Sequence, residues 1–413
     1  MTIGEQIPVT IDDLAFGGDG VGRAPDGTVI FVPLTAVGDV ALVSVTQVRK
    51  NFARGEVVAI SHPGPGRCDP QCRLYGKCAG CQYQHLEYEI EFAAKKKQLR
   101  DLLRRIGGID PLPEFAAAVA APQPYGYRNK LRLEPAFMEL PGVDGLRLAY
   151  GYYGNDNRTL QRVTNCPLAA DAINDGIIDA IHSQWGKANA RKRGKDDRPG
   201  ALTLRLTSEG ALSWYFGYAP RRVPWLRETL NGIEYSVPLG SFWQVNPAVA
   251  GQLLETIAGW VEPLTAETFI DAYAGVGTFT CAMRNPFRER LLIENDREAA
   301  KAAQFNVAGR RQLGCQIIPQ TTEKALPKLL GKCNAAATAV LLDPPRSGCQ
   351  DAVIEALTAR HPATVIYVSC NPSTLARDLK RLCANGSYHV EKLAIFDMFP
   401  RTAHFETAVM LHE

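Results

Sequence analysis

The sequence lacks any apolar run of the roughly 18 residues that a membrane-spanning helix needs, so membrane insertion is not expected. Its start, Met1 to Gln6, has neither a basic region nor an apolar core, and no secretory leader is predicted. A strong excess of one charge is also missing, because 46 lysines and arginines oppose 43 aspartates and glutamates. We therefore expect a cytoplasmic monomer that can bind a polyanion without being dominated by basic residues.

The composition is that of a globular protein, with 46% hydrophobic and 22% charged residues. Its 413 residues are enough for two or three domains. Changes in pattern along the chain predict three of them. They are a barrel over residues 1–61, a strand-rich central domain over 62–235 and an α/β domain over 236–413.

Short apolar runs separated by glycine-rich turns fill the N-terminal region. The runs at 29–32, 40–45 and 55–60 are typical of strands, and their spacing predicts a small OB-like β-barrel. Barrels of this type often bind oligonucleotides. The basic segment 47–54 suits that role, although it is also compatible with a solvated hairpin tip.

From Leu264 onward, strand and helix patterns alternate. This alternation predicts a doubly wound, Rossmann-like α/β domain. An earlier helix is predicted over about 87–106, with Lys95 to Lys97 in its middle and glycines at its end. We expect this helix to pack on the C-terminal domain.

Four cysteines, Cys68, Cys72, Cys78 and Cys81, fall within 14 residues. In a chain without a predicted leader, such a cluster indicates a metal site rather than disulfides. The local spacing alone favours a structural zinc ion held by these four thiolates.

A strand followed by a glycine turn spans Asp271 to Thr278. Glycine lets a ligand approach the backbone closely, but the turn lacks the full spacing of a dinucleotide-binding motif. Glu294, at the end of the next predicted strand, can hold the hydroxyls of a ribose. Together these features favour a nucleoside cofactor such as S-adenosylmethionine.

Three reactive side chains lie at predicted strand ends: Asp343, Cys370 and Glu406. The Asp-Pro-Pro sequence at 343–345 is similar to a motif of amino-group methyltransferases, but Arg346 replaces the aromatic residue and argues against that chemistry. A thiolate that adds to C6 of uracil makes C5 nucleophilic, and a base must later remove the C5 proton. The three residues therefore predict methylation of carbon rather than nitrogen.

With these motifs, the chain resembles the RNA uracil-5-methyltransferases that carry an N-terminal TRAM domain and an iron–sulfur cluster. The likeness rests on the segments 369–372, 404–406 and 242–246, and it covers nearly the whole chain. It implies a class I methyltransferase domain with Cys370 as nucleophile, Glu406 as base and Asp343 beside the uracil. It also implies that the cofactor residues are Gln244, Tyr273, Thr278, Glu294, Gln320 and Asp343.

The same resemblance implies a [4Fe–4S] cluster bound by Cys72, Cys78, Cys81 and Cys166, with Cys68 left over. Thiolates are the usual donors to such a cluster. The zinc site made of the four local cysteines remains the alternative.

RNA is the expected partner, and Phe242 is expected to stack on the target base. Arg128, Lys130 and Arg132 occupy alternate positions, so a strand would place them on one face, toward phosphates, with Leu131 and Leu133 on the other. A solvated sheet face is the alternative for this stripe. The family architecture favours 23S ribosomal RNA as substrate, with uridine 54 of transfer RNA as the alternative. A non-catalytic RNA-binding module is a further, less favoured alternative.

Overall fold

The computed structural model describes residues 1–192, 198–220, 223–309, 314–386 and 388–413. Within these residues no helix is long and apolar enough to cross a membrane. The chain begins with a closed five-stranded barrel, in the order β1-β2-β3-β5-β4, as the spacing of the apolar runs predicted. Its strands are β1 (Gln6–Leu14), β2 (Gly20–Arg23), β3 (Val29–Val32), β4 (Val40–Val48) and β5 (Ala53–His62).

The helix that follows the cysteine-rich loop is α1 (Tyr88–Arg105). Its buried residues Phe92, Leu99 and Leu103 share one apolar core with the C-terminal sheet. The next strand, β6 (Phe115–Val119), joins the edge of that same sheet. The chain therefore contributes to the C-terminal layer before it forms the central region.

The central region is an antiparallel sheet covered by two helices. The strand order is β11-β10-β7-β8-β9. Leu131, Leu133 and Leu202 of this sheet pack against the helix Asp171–His182. A separate two-stranded hairpin follows. The elements are β7 (Lys130–Leu140), β8 (Val143–Tyr153), β9 (Leu160–Arg162), α2 (Asp171–His182), α3 (Gln184–Ala190), β10 (Leu202–Leu206), β11 (Leu212–Phe216), β12 (Leu226–Leu230) and β13 (Ile233–Val237).

The C-terminal region alternates helices and strands, as predicted. Its elements are α4 (Pro247–Val261), β14 (Thr268–Ala272), α5 (Thr278–Ala282), β15 (Glu289–Ile293), α6 (Arg297–Ala308), β16 (Cys315–Ile318), α7 (Thr322–Leu330), β17 (Thr338–Leu342), α8 (Asp351–Arg360), β18 (Thr364–Ser369), α9 (Pro372–Leu382), β19 (His389–Phe396) and β20 (Glu406–His412). Short 3-10 turns lie at Ala335–Ala337 and Ala384–Gly386.

These strands form an eight-stranded sheet in the order β16-β15-β14-β17-β18-β20-β19-β6. The strands from β16 to β18 are parallel, whereas β20 is antiparallel to both of its neighbours. The start of β20 therefore lies at the same edge of the sheet as the ends of β14, β17 and β18. Ligands of open α/β sheets bind at this edge.

Candidate active site

The three reactive residues predicted from the sequence meet at this edge. Asp343 directly follows β17, Cys370 directly follows β18, and Glu406 is the first residue of β20. Ser369 pairs with Thr407 across the two antiparallel strands, which makes Cys370 and Glu406 close neighbours.

The turn that carries Cys370 is fixed by its own sequence. Pro372 opens α9, and the side chain of Asn371 caps that helix by accepting a hydrogen bond from the Ser373 amide at 3.1 Å. The Asn371 side-chain amide also donates to the Arg346 carbonyl at 3.0 Å. The cap therefore connects the thiol turn to the loop that follows Asp343.

Burial and nearby charges raise the pKa values of Cys370, Glu406 and Asp343. Burial raises the pKa of Cys370 to about 11, the Glu406 carboxylate adds to the rise, and the Arg346 guanidinium opposes it. Burial likewise raises the pKa of Glu406 well above its usual range, with a further contribution from Asp343. These mutual effects show that the groups share one poorly solvated site.

Asp343 and Glu406 are two buried carboxyl groups whose environments favour the neutral form. Burial, followed by the charge of Asp271, raises the pKa of Asp343 to about 7. The Oε2 atom of Glu406 is buried and has no hydrogen-bond partner among the described residues. An unpaired buried carboxyl oxygen is costly for stability, which is typical of a functional group that waits for a substrate.

A cavity of about 50 Å³ lies beside this group. The residues that line it include five of the predicted ones: Phe242, Gln244, Tyr273, Thr278 and Asp343. The backbone turns sharply here, since Tyr273 has φ 66°, Gly275 has φ 56° and Gly277 has φ 81°. The left-handed conformation explains the glycines of the motif, and Tyr273 adopts it despite its side chain.

The other two predicted cofactor residues lie farther along the edge. Both carboxylate oxygens of Glu294 accept from the backbone, at 2.8 Å from the Gly275 amide and 2.6 Å from the Asp296 amide. Glu294 thus braces the glycine turn, although it does not line the cavity. Gln320 is exposed two residues after β16 and does not line the cavity either.

A second cavity, of about 60 Å³, is lined by Cys72, Cys78, Cys81 and Cys166. Cys68 is not among the lining residues, and its Sγ lies 3.6 Å from the Gln84 carbonyl oxygen. Among the described residues, no three His, Cys, Asp or Glu side chains are placed to hold one metal ion. The four cysteines of the resemblance therefore line one cavity, whereas Cys68, which the zinc alternative requires, lies outside its lining.

The predicted basic stripe is only partly on a strand. Lys130 and Arg132 alternate with the buried Leu131 and Leu133 on β7. Arg128 instead precedes that strand and lines the cysteine cavity. Strand β7 begins at residue 130 because residue 128 bridges to the segment after Cys166.

Lys130 pairs with Arg205 across two strands, and Arg205 contacts the loop that carries Phe242. Burial, followed by the charges of Arg205 and Arg132, lowers the pKa of Lys130 to about 8. Arg205 donates to the carbonyls of Pro238 and Ser241. Phe242 is 68% exposed and lines the cavity, so an aromatic face is available at its entrance.

Two contributions were missed by sequence reasoning. Arg346 was considered only as a departure from another motif, yet it faces both Cys370 and Glu406; its position next to Asp-Pro-Pro was the available signal. The buried network of α1 around Lys95 gave no signal, because a central lysine in a helix usually indicates a solvated face.

Comparison with known proteins agrees with this geometry. Residues 226–413 match the tRNA (Uracil-5-)-methyltransferase family model, and residues 1–58 match the TRAM domain. Uncharacterized RNA methyltransferases from Nostoc sp. and Thermosynechococcus vestitus are 33% and 31% identical over 99% of this chain, which covers 96% and 98% of them. The Pyrococcus abyssi tRNA (uracil-54, C5)-methyltransferase with S-adenosyl-L-homocysteine has a TM-score of 0.70 at 22% identity, over 98% of this chain and 99% of that one.

Proposed function

Because the chain belongs to the TRAM-containing RNA uracil-5-methyltransferase family, we propose that it methylates C5 of a uridine in RNA with S-adenosylmethionine, through a covalent adduct on Cys370. The observation that carries the proposal is the meeting of Cys370, Glu406 and Asp343 beside the cavity lined by Gln244 and Thr278.

In this mechanism the cofactor supplies an electrophilic methyl group. The Cys370 thiolate would add to C6, and the electron pair of the C5–C6 bond would become available at C5. The new carbon–methyl bond would form as the bond from methyl to the sulfonium sulfur breaks and leaves its electron pair on sulfur. Glu406 then takes the C5 proton, the C–H electrons restore the double bond, and the thiolate leaves. Asp343 holds the uracil by a hydrogen bond, for which its raised pKa provides a proton near neutral pH.

Arg346 assists the first step. Its guanidinium lowers the pKa of both Cys370 and Glu406, against the much larger effect of burial. A cation at this place favours the thiolate without neutralising the site completely. Its exposure leaves it free to meet the RNA backbone as well.

The cofactor would be held by Gln244, Tyr273 and Thr278 along the cavity, with Asp343 at its inner end. Glu294 would hold the ribose, and Gln320 would lie on the adenine side. Glu294 already holds the glycine turn through its Gly275 contact, which supports its place beside the ribose.

The target uridine must leave its stack to reach Cys370. We propose that Phe242 stacks on the extruded base while Lys130 and Arg132 contact phosphates. Arg128 is better placed to balance the negative charge of the cysteine site. The N-terminal barrel extends the RNA surface.

The cysteine cavity would hold a [4Fe–4S] cluster on Cys72, Cys78, Cys81 and Cys166. The cluster has a structural role, since methyl transfer requires no redox step. Metal analysis tests this, and the zinc alternative predicts stoichiometric zinc, no iron and a requirement for Cys68 instead of Cys166.

For the substrate we propose 23S ribosomal RNA, with transfer RNA as the second candidate. The transfer RNA candidate is favoured by the Pyrococcus abyssi structure, whose chain aligns over nearly its whole length. Mapping 5-methyluridine in both RNAs from a deletion strain separates the two candidates. The modified position that disappears identifies the substrate.

The nucleophile is tested with 5-fluorouridine RNA, which traps the Cys370 adduct because the base cannot remove fluorine. Cys370→Ala should form no adduct and no product while still binding the cofactor. Cys383→Ala, at the other end of α9, is the matched control and should keep both activities. Adduct formation by Cys370→Ala would refute the assignment.

A further inference from the structure

The base Glu406 follows a connection of nine residues, Asp397–Phe405, between β19 and β20. One of its carboxyl oxygens has no hydrogen-bond partner among the described residues. The position of the carboxylate therefore depends on the backbone that carries it, and the contacts of the connection become relevant to catalysis.

The connection is held by the loop that bears the cysteines. The Oε1 atom of Gln82 accepts from the Ala403 amide at 2.9 Å. The Gln82 amide donates to the Arg401 carbonyl at 3.0 Å, and the Tyr83 amide donates to the same oxygen at 3.2 Å. Arg401 lies in the left-handed region with φ 68°, a conformation that a non-glycine residue keeps only when its surroundings impose it.

Gln82 is itself fixed on every side. The side-chain Nε2 of Gln82 donates to the Ala79 carbonyl at 2.8 Å. The backbone carbonyl of Gln82 accepts from the Tyr75 hydroxyl at 2.8 Å. Gly18 of the barrel packs against it so closely that a Cβ there would lie 2.7 Å from the Gln82 Cβ. The Gln82 side chain is therefore held in one conformation and links the cysteine loop to the connection by hydrogen bonds.

We propose that Gln82 is a positioning residue that sets the place of Glu406 through the Ala403 amide. The inference rests on the proposed function, in which Glu406 removes the C5 proton after methyl transfer. Loss of the Gln82–Ala403 hydrogen bond would leave Cys370 and the cofactor cavity in place but would shift Glu406 away from its working position. The specific consequence is slow resolution of the methylated adduct.

The test is Gln82→Ala in the full-length protein. Loss of one neutral hydrogen bond predicts a fall in kcat of about two- to tenfold, with the KM for RNA unchanged. The fraction of methylated RNA attached to the protein on a denaturing gel should rise. Independently of activity, hydrogen exchange at the Ala403 amide should accelerate by about the same factor.

Gln84→Ala is the matched control. Gln84 accepts from the Cys72 amide at 3.0 Å within the same loop, and its Nε2 has no hydrogen-bond partner among the described residues. Its side chain therefore does not hold the connection, and this variant should leave the adduct fraction and the Ala403 exchange at wild-type values. An equal rise of the adduct fraction in Gln84→Ala would overturn the proposal, because general loop damage would then explain it. Unchanged values in Gln82→Ala would overturn it too.

Glu406→Gln distinguishes a wrong base assignment for Glu406 from a wrong positioning role for Gln82. It should accumulate the methylated adduct strongly, with Ala403 exchange at the wild-type rate. If it accumulates none, the base assignment of the proposed function fails. If it accumulates adduct and Gln82→Ala does not, only the positioning role of Gln82 is refuted.

Discussion

Replacing Arg346 with glutamine tests how charge affects the ionisation of Cys370, the proposed nucleophile. The pKa of Cys370 is raised to about 11, chiefly by burial, even though the Arg346 guanidinium lowers it. At pH 8 such a pKa leaves about one thiol in a thousand ionised. Without the guanidinium the pKa of Cys370 rises further, and each increase of one pKa unit reduces the thiolate fraction tenfold. We expect Arg346→Gln to slow alkylation of Cys370 at pH 8 by about tenfold.

The assay follows iodoacetamide labelling of the Cys370 peptide by mass spectrometry between about pH 7 and 10. The rate profile of Arg346→Gln should move to higher pH. That of Glu406→Gln should move to lower pH, since the Glu406 charge raises the thiol pKa. Lys380→Gln removes an exposed charge from α9 and should change nothing. An Arg346→Gln profile identical to that of wild type would refute the electrostatic role of Arg346.

Four further predictions concern other parts of the protein. Lys95→Met breaks two fully buried ion pairs and should lower the free energy of unfolding by about 3–5 kcal/mol in urea titration; a loss below about 1 kcal/mol would contradict the network. Asp343→Asn should stabilise the protein at pH 8 but not at pH 4, because the raised pKa of Asp343 means that folding favours the proton and loses stability as pH rises toward 7. Phe16→Ala should lower kcat as well as RNA affinity, since the centre of the Phe16 ring lies 6.0 Å from that of Phe405, the residue before the proposed base; an effect on affinity alone would limit the barrel to RNA binding. Removal of the iron of the proposed cluster by a chelator should accelerate hydrogen exchange at Ala403, and unchanged exchange would contradict a structural role of that cluster in the cysteine loop.

Much of the fold could be predicted because its signals are local. The run 29–32 matches β3 in both bounds, and the predicted helix over about 87–106 differs from α1 by one residue at each end. The glycine turn and the Asn-Pro cap before α9 also depend on neighbours in the sequence. Strand β6 gave no comparable signal, because its partner β19 lies more than 250 residues away in the chain.

The sequence by itself determined which residues are candidates for the proposed chemistry, since a thiol, two carboxyls and a glycine turn at strand ends can be identified from residue type and position. Only the tertiary structure decided how they act on one another. The antiparallel direction of β20 brings Glu406 to the thiol, and burial perturbs the pKa values of both groups. The contact of Gln82 with Ala403 joins residues 321 positions apart. Hydrogen bonds and desolvation depend on distance in space, and separation along the chain does not reveal that distance.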